Sequence, residues 1–277
     1  MLARRVAATA SLVPAAKPGG ARWLSVLDAA TTSAYAAAVA RVAPAVEGAL
    51  GGEVVANRVA LAGPGPPFLR LQPWRPARAR FLMTARRMSA AAGTLLVADV
   101  HRCYPSILPE LVGDSLVRLG CEGSDVHDVV AVLEALTLAG VPGLPIGPNP
   151  SAVLANAVLA PADHALRAMG VRHLRWVDDF WVFAPDRTAG AAALRQLRAS
   201  LGDAGLTLAG EKTRLIDRPE DIVAAVAGGR ISLTAPRYHR PADAHPLPGV
   251  TGAHPVVPAE GGVDPRRRTP RAASGLG

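Results

Sequence analysis

The sequence predicts an α+β fold in which a sheet containing antiparallel strands packs against helices on one face. Two observations lead to this prediction. Between residues 94 and 217, short apolar runs typical of strands alternate with alanine- and leucine-rich stretches typical of helices. Two of the apolar runs flank an Asp-Asp pair, which is a hairpin pattern with aspartate at the turn. The predicted element order is therefore β–α–α–α–β–β–α–β.

The first 93 residues divide into two parts. Residues 1–24 begin with two arginines and an apolar stretch that Ser11 and Pro14 interrupt, and we interpret them as a flexible N-terminal arm rather than a signal peptide. Residues 25–50 are rich in alanine and are predicted to form a helix. Residues 51–93 have an irregular pattern of turn residues, aromatics and arginines. No stretch approaches the roughly 20 unbroken apolar residues of a membrane span.

Residues 94–217 contain the ordered part of the prediction. The strand "TLLVADV" comes first, and the hairpin "HLRWVDDFWVFA" follows three predicted helices. A Pro/Gly turn, "PGLPIGPNP", introduces the longest helix of this part. The predicted elements are a strand over 94–100, helices over 106–120, 125–140 and 149–169, a hairpin over 173–184, a helix over 188–205, and a strand, turn and strand over 206–216.

The C-terminal part of the chain contains little predicted structure. Residues 218–240 are interpreted as a short connection, with "RISLTAPRYHR" at 230–240 as a candidate last strand. Residues 241–277 contain 7 Pro and 6 Gly, a density typical of disordered segments. We therefore predict a disordered Pro/Gly-rich tail there.

Charge and cysteine content restrict the class of partner and the compartment. The net charge of +8 favours a polyanionic partner such as nucleic acid or a membrane surface, and a basic soluble surface without such a partner is the alternative. Cys103 and Cys121 do not form a C-x-x-C pair, so neither a disulfide framework nor a zinc knuckle is expected. Free cysteines indicate a reducing, cytoplasmic location.

Three separated features carry the chemistry. Asp99 ends the first predicted strand, the turn at 143–151 opens a helix, and Asp178 and Asp179 lie at the tip of the hairpin. A single Asp-Asp pair in a turn is most often only solvated. Three carboxylates at neighbouring strand ends, in contrast, offer the oxygen ligands that Mg²⁺ prefers. Two ions held in this way can support an in-line phosphoryl transfer.

Four motifs in this order resemble the palm of the reverse transcriptases. They span about 120 residues, and each is unspecific when taken alone. The motifs are "VADVHRCYPSI" at 97–107, "GLPIGPNPSAVLANAVLAPAD" at 143–163, "WVDDFWVF" at 176–183 and "AGLTLAGEKT" at 204–213. The resemblance implies a ferredoxin-like palm over 94–217, a fingers-like region over 25–93, and little or no thumb, with 218–240 as a remnant.

The resemblance also implies roles for individual residues. Asp99 and Asp178 would be the principal ligands of two Mg²⁺ ions, with Mn²⁺ as a substitute, and Asp179 would be the third carboxylate. Lys212 would lie near the triphosphate and help pyrophosphate to leave, with a solvated turn lysine as the alternative. Asn156 and Asp163 are interpreted as structural residues.

The nucleotide pocket is the second set of implied residues. Tyr104 would act as a steric gate that excludes a ribose 2′-OH, and Gly147 and Ser151 would lie along the nucleotide and template side of the pocket. Ile146 departs from the family pattern, in which a glutamine is common. No fingers arginine aligns securely, and each is expected to be solvated unless it binds phosphate. Candidates for the triphosphate are Arg58, Arg70 and Arg75, and candidates for template phosphates are Arg78, Arg80, Arg86 and Arg87.

The function implied by the resemblance is RNA-directed DNA polymerase, a nucleotidyltransferase that extends a DNA or RNA primer on an RNA template with dNTPs. Bacterial retron, group II intron and defence enzymes have the most similar layout. A partner protein or a structured RNA would replace the missing thumb. Two alternatives stay open: untemplated or protein-primed DNA synthesis in antiviral defence, and a degenerate palm that only binds RNA or a protein.

Overall fold

The described part of the chain, residues 7–17, 20–60 and 69–228 of a computed structural model, contains six strands and eight helices. A 3₁₀ turn over Gly210–Lys212 precedes the last strand. In chain order the elements are β1 (Ala10–Lys17), β2 (Gly20–Leu27), α1 (Ala29–Ala49), α2 (Trp74–Ser89), β3 (Thr94–Asp99), α3 (Cys103–Ser106), α4 (Pro109–Arg118), α5 (Gly123–Leu138), α6 (Asn149–Ala168), β4 (Arg172–Trp176), β5 (Asp179–Ala184), α7 (Arg187–Gly202), β6 (Arg214–Ile216) and α8 (Pro219–Ala227).

The central sheet has four strands in the order β4-β5-β3-β6, and all of its neighbours are antiparallel. Helices α3 to α6 connect β3 to β4, and α7 connects β5 to β6. This is the βαββαβ connectivity of a ferredoxin-like fold. The predicted α+β palm with an antiparallel sheet is therefore confirmed.

Helices cover both faces of the sheet, which corrects the prediction that they lie on one face. Leu96, Phe180 and Val182 point into the core formed with α1, α5, α6 and α7. Leu95 and Trp181 point the other way, into a second core that α2 and α8 close. Because side chains alternate along a strand, an apolar run that is buried throughout requires a cover on each face. The apolar sequence of β5 after Asp179 was the available signal.

The N-terminal segment contains a β-hairpin where a flexible arm was predicted. Strands β1 and β2 pair in antiparallel register from Ala10↔Leu27 to Lys17↔Gly20. The Ser25 N–H donates to the Ile146 carbonyl at 2.9 Å, and this bond attaches the hairpin to the loop before α6. Helix α1 accordingly begins at Ala29, with Asp28 as its N-cap, instead of at residue 25. Pairing with a distant loop leaves no local signal in the sequence.

Two helices were missed in regions predicted to be irregular or connecting. Helix α2 occupies Trp74–Ser89, within the stretch from 51 to 93, and α8 occupies Pro219–Ala227. Arginines make α2 polar on average, which hid its narrow buried face of Ala77, Phe81 and Ala85. The candidate strand at 230–240 and the predicted disordered tail at 241–277 lie outside the described residues.

Both edges of the central sheet have irregular neighbours. On the β4 side, the Arg175 N–H donates to the Glu53 carbonyl at 2.8 Å and the Val55 N–H donates to the Arg175 carbonyl at 3.1 Å. On the other side, the predicted strand before Lys212 is reduced to one bridge between Leu208 and Val100. This last difference corrects the expected strand, turn and strand at 206–216, of which only β6 forms.

A close backbone contact at Gly143 attaches the loop before α6 to the segment after β3. Gly143 has a φ of 61°, and a Cβ placed there would lie 2.6 Å from the carbonyl oxygens of Tyr104 and Pro105. We expect Gly143→Ala to lower the free energy of unfolding by at least about 2–3 kcal/mol, since backbone strain and a collision with backbone add together. Chemical denaturation would measure this change.

Gly140→Ala is the matched control for this prediction. Gly140 has a φ of 88°, but a Cβ there would have no atom within 4 Å. The control should therefore show only the conformational cost, about 1–2 kcal/mol. Equal destabilisation by the two substitutions would contradict the close contact at Gly143.

Within the described residues, no helix combines the length and the apolar character needed to cross a bilayer.

Candidate metal centre

Three carboxylates meet at one end of the central sheet. Asp99 is the last residue of β3 and lies opposite Asp179, the first residue of β5, in the antiparallel register. Asp178 belongs to the turn between β4 and β5, and one carboxylate oxygen from each of the three residues lies within 4.8 Å of the others. The three aspartates predicted from the sequence are therefore brought together. Asp99 and Asp179 are buried and Asp178 is half-buried.

The turn that carries Asp178 has an unusual backbone. Trp176 pairs with Asp179, so the loop consists of Val177 and Asp178 alone. Val177 has a φ of 60°, a conformation that is unfavourable for a β-branched residue and that type II′ hairpin turns usually assign to glycine. Strain of this kind persists only where the surroundings hold it in place. Here the Val177 carbonyl accepts a hydrogen bond from the Arg175 guanidinium at 2.9 Å.

Basic residues, Lys212 and Arg22 among them, partly compensate the negative charge of the cluster. The Lys212 ammonium donates to both carboxylate oxygens of Asp99, at 3.0 and 3.1 Å. The 3₁₀ turn that carries Lys212 is fixed by the Ala209 N–H, which donates to the Asp99 carbonyl at 2.8 Å. Arg22 on β2 lies near enough to Asp178 to favour its charged form. Lys212 was predicted from the sequence, whereas Arg22 was missed because 155 intervening residues separate it from Asp178.

The environment of the cluster disfavours full ionisation. Burial, followed by the charge of Asp99, raises the pKa of Asp178 to about 6. Burial and the two neighbouring carboxylates raise the pKa of Asp179 further still. Burial opposes the charge on Lys212, but its hydrogen bonds to Asp99 and the charges of the cluster outweigh burial and raise the pKa of Lys212. A cationic ligand would relieve this repulsion.

A buried polar network supports the turn between β4 and β5. Arg175 on β4 is fully buried and donates to both carboxylate oxygens of Asp163 on α6 at 2.7–3.0 Å. The guanidinium also donates to the Asn156 side-chain oxygen at 2.8 Å, and His173 lies 3.3 Å from Asp163. Burial opposes the charge on Asp163, but the Arg175 charge together with the hydrogen bonds from Arg175 and His173 outweighs it and lowers the pKa of Asp163. Asn156 and Asp163 were predicted to be structural, and their burial in this network agrees with that interpretation.

Arg175 itself was missed. The sequence contained a signal for its role, because a charged residue within a buried strand requires a buried partner. Only the fold identifies Asp163 and Asn156 as the partners.

The residues predicted for the nucleotide pocket are buried to different depths, and Tyr104 lies near Asp178. Tyr104 is partly buried, and burial, with Cys103 and Asp178 nearby, raises the pKa of its hydroxyl. Gly147 is half-buried in the loop before α6 and has a φ of 128°, which favours glycine. Ser151 is completely buried and forms a 3.1 Å hydrogen bond with the Tyr35 hydroxyl of α1. The structure thus places the Ser151 side chain in the contact between α6 and α1.

The arginines considered for binding the triphosphate or the template phosphates have different surroundings. Arg58 pairs with Glu47 at 2.6 Å and donates to the carbonyls of Gly51 and Val54, so it has a structural role. Arg75 is exposed and stacks on Trp74. Arg78 is buried and stacks on Phe81 and on Trp176, the residue that precedes the β4–β5 turn.

The raised pKa of Asp178 predicts how stability depends on pH in protein kept free of divalent metal by EDTA. Between about pH 4 and pH 6, the Asp178 carboxyl keeps its proton in the folded state but has released it in the unfolded state. The contribution of Asp178 to stability is therefore greatest below about pH 4 and is lost as the pH rises through about 6. We expect Asp178→Asn to stabilise the EDTA-treated protein by about 1–2 kcal/mol at pH 8 and to flatten the pH profile. Thermal melts from pH 4 to pH 8 would measure both effects.

Asp203→Asn is the control, since Asp203 is an exposed carboxylate at the end of α7. MgCl₂ at pH 8 should raise the melting temperature of the parent and of the control more than that of Asp178→Asn. A parent protein that melts at the same temperature with and without MgCl₂ would argue against a cation site.

Comparison with known proteins adds a likeness of fold. No protein-family model and no curated protein matches the sequence. Among solved structures of similar fold is telomerase from Candida albicans in complex with a TWJ fragment of telomeric RNA. The TM-score is 0.52 at 10% sequence identity, and the match covers 77% of this chain and 42% of the telomerase chain. The chain therefore spans less than half of that telomerase, and the likeness concerns the fold alone.

Proposed function

We propose that the chain is an RNA-directed DNA polymerase that adds deoxynucleotides to the 3′-OH of a primer by two-metal phosphoryl transfer. The observation that carries this proposal is the convergence of Asp99, Asp178 and Asp179 at one end of a ferredoxin-like sheet. The likeness to telomerase, itself a reverse transcriptase, supports the same class of enzyme.

The donor set of the cluster suits hard divalent cations. It consists of carboxylate oxygens, and the pKa values of Asp178 and Asp179 are raised first by burial and then by the charges of the neighbouring carboxylates, in spite of Lys212 and Arg22 nearby. Asp99 and Asp178 would hold Mg²⁺, with Asp179 as the third carboxylate. Two bound ions would supply a more acidic 3′-OH and charge stabilisation for the departing pyrophosphate.

Basic residues of the chain would hold the triphosphate. Lys212 is half-exposed and reaches Asp99 through a long flexible side chain, so its ammonium can turn towards a phosphate when a cation neutralises Asp99. Arg22 on β2 lies close enough to Asp178 and Tyr104 for its charge to act on both. We assign these two residues to charge stabilisation of the phosphates, and Lys212 also to proton donation to the leaving group.

Residues around Tyr104 would select the sugar. The Tyr104 carbonyl accepts hydrogen bonds from the Ile107 and Leu144 N–H groups at 3.2 and 2.9 Å, which fixes the backbone of this residue beside the cluster. In this role the ring occupies the space of a ribose 2′-OH. Gly147 allows close approach of the nucleotide to the loop backbone, while Ser151 holds α6 against Tyr35.

A primer-extension assay tests the proposal. The purified full-length chain is incubated with a labelled DNA primer on an RNA template, dNTPs and MgCl₂, beside the Asp178→Ala/Asp179→Ala variant. Parallel reactions omit the template, omit the primer, or replace dNTPs with rNTPs. We expect template-dependent extension with dNTPs by the parent alone.

Each other outcome selects a different function. A long product without added template supports untemplated synthesis, and a product attached to the protein without added primer supports protein priming. RNA binding without incorporation supports a non-catalytic palm. Extension that survives the double substitution would remove the aspartates from the catalytic site.

A further inference from the structure

Positive charge is concentrated in one segment of the chain. Between Glu53 and Asp99 there is no carboxylate, and the same 45 residues contain seven arginines. Five of these arginines lie on α2, which has no acidic residue. The charge of this segment is therefore not balanced locally, in contrast to α1, where Arg41 pairs with Asp125 and Asp128.

Helix α2 buries one face and presents the other to solvent. The buried face, which includes Ala77, Phe81 and Ala85, packs against the sheet and belongs to the same core as residues of α8. On the opposite face Met83 is 68% exposed, and two pairs of exposed arginines flank it, Arg80 with Arg87 and Arg75 with Arg86. We call these four arginines and Met83 the α2 basic face. Within the described residues none of the four arginines forms an ion pair with a carboxylate.

The α2 basic face begins beside the metal centre. Arg78, on the buried side of the helix, lies 5.2 Å from the ring of Trp176 and is close enough to Asp179 for their charges to interact. The first turns of α2 are thus adjacent to the hairpin that carries the aspartates. From Arg78 to Arg87 the helix extends about 13 Å away from this point. Exposed Trp74, on which Arg75 stacks, adds an aromatic surface near the beginning of the helix.

We propose that the α2 basic face binds the phosphate backbone of an RNA–DNA hybrid duplex whose primer end lies at the metal centre. This inference rests on the proposed polymerase function and adds the surface that holds the substrate. Charge complementarity favours this occupant, since each phosphate in a duplex carries one negative charge. Arg80 and Arg87 are separated by about two helical turns, roughly 10 Å, so that each contacts its own phosphate. Such contacts fix the position of the duplex without reading its sequence.

Binding measurements with a charge-matched control test the proposal. The probe is a fluorescein-labelled RNA–DNA hybrid, and its fluorescence anisotropy is followed with full-length protein in EDTA from 50 to 300 mM KCl. The test variant is Arg80→Gln/Arg87→Gln. The control is Arg195→Gln/Arg198→Gln on α7, which removes the same charge from exposed arginines in the helical layer on the other face of the sheet.

We expect the α2 variant to bind roughly tenfold more weakly near 150 mM salt, with a salt slope that is smaller in magnitude by about 2, because two phosphate contacts are lost. The α7 control should bind like the parent. Equal weakening in both variants would show a net-charge effect, and unchanged binding in the α2 variant would show that the duplex lies elsewhere. Either result overturns the proposal.

Further arms separate this inference from its alternatives. Circular dichroism and thermal melting compare the folds of the variants, and Arg75→Gln/Arg86→Gln, on the other flank of the same face, serves as a second test if the first variant melts early. Vesicles of phosphatidylserine and phosphatidylcholine test a membrane occupant, and α2-dependent binding to vesicles but not to the hybrid contradicts the proposal. Because binding is measured without Mg²⁺, a chain that binds through α2 but incorporates no nucleotide would refute the polymerase function and leave the surface intact.

Discussion

Replacing Asp99 with asparagine is expected to lower the rate of nucleotide incorporation by roughly 10³-fold or more, which corresponds to about 4 kcal/mol of barrier. Asp99 is 5% exposed, accepts both hydrogen bonds from Lys212, and lies opposite Asp179 in the sheet. Asparagine has nearly the same shape but lacks the charge, so the substitution removes a metal ligand and leaves the packing of β3 unchanged. Single-turnover primer extension at saturating dNTP would measure the effect.

Two comparisons make this result specific to the cluster. Asp114→Asn removes an exposed carboxylate from α4 and should leave the rate unchanged. Replacement of Mg²⁺ by Mn²⁺ should restore part of the activity of Asp99→Asn if the loss comes from weaker metal binding. An Asp99→Asn protein that retains more than a tenth of the parent rate would be incompatible with its role as a principal ligand.

The second large effect concerns stability. We expect Arg175→Met to lower the free energy of unfolding by about 3–5 kcal/mol and the melting temperature by roughly 10 °C, because it leaves the buried Asp163 carboxylate without its cationic partner. Arg175 is fully buried and Asp163 is 1% exposed, so water cannot take over the lost hydrogen bonds. The substitution also removes the donor to the Val177 carbonyl, which holds the turn of Asp178 in its strained conformation. Denaturant titration would measure the loss.

A double variant and a surface control complete this test. Arg175→Met/Asp163→Leu removes both charges and should recover most of the lost stability, since a buried ion pair can be replaced by apolar residues of similar volume. Arg167→Met breaks the more exposed pair with Glu53 and should cost at most about 1 kcal/mol. If the double variant were as unstable as Arg175→Met, the uncompensated charge of Asp163 would not be the cause.

The double variant also separates fold from function. The recovered protein would still lack the hydrogen bond to the Val177 carbonyl, so we expect its affinity for Mg²⁺ to remain weakened although its stability returns. Isothermal titration with MgCl₂ would detect this difference. A fully stable double variant with parental Mg²⁺ affinity would show that Arg175 supports the sheet and not the turn.

The palm could be predicted from sequence because its signals are local. Strand β3 is an apolar run that ends in Asp99, β5 is apolar after Asp179, the helices α6 and α7 are long and rich in alanine, and the Asp-Asp pair lies at a turn between two strands. Lys212 also followed from its motif, although the prediction placed it near the triphosphate and the structure shows its ammonium bound to Asp99. Tyr104 lies near Asp178, and its motif directly follows β3, the strand that carries Asp99.

What the sequence missed depends on contacts between distant segments. Helix α2 looks polar because its arginines outnumber its buried residues. Its position is explained only by the apolar face of the sheet opposite α6 and α7, which needs a cover. The N-terminal hairpin has Pro14 within β1 and no strong strand pattern, yet a backbone hydrogen bond from Ser25 attaches it to the loop before α6. The hydrogen bond of buried Ser151 with Tyr35 likewise joins segments 116 residues apart and could not be read from the sequence.

The sequence by itself determined the order of the palm elements and the identity of the three aspartates, because hydrophobic periodicity and turn chemistry act between neighbouring residues. Only the tertiary structure decided how those aspartates are supported. The guanidinium of Arg175, the carboxylate of Asp163 and the charge of Arg22 come together from different elements, and each is tolerated where it lies because the fold supplies the opposite charge or hydrogen-bond partner. Burial makes such partners necessary, and the path of the chain in space determines which residues can provide them.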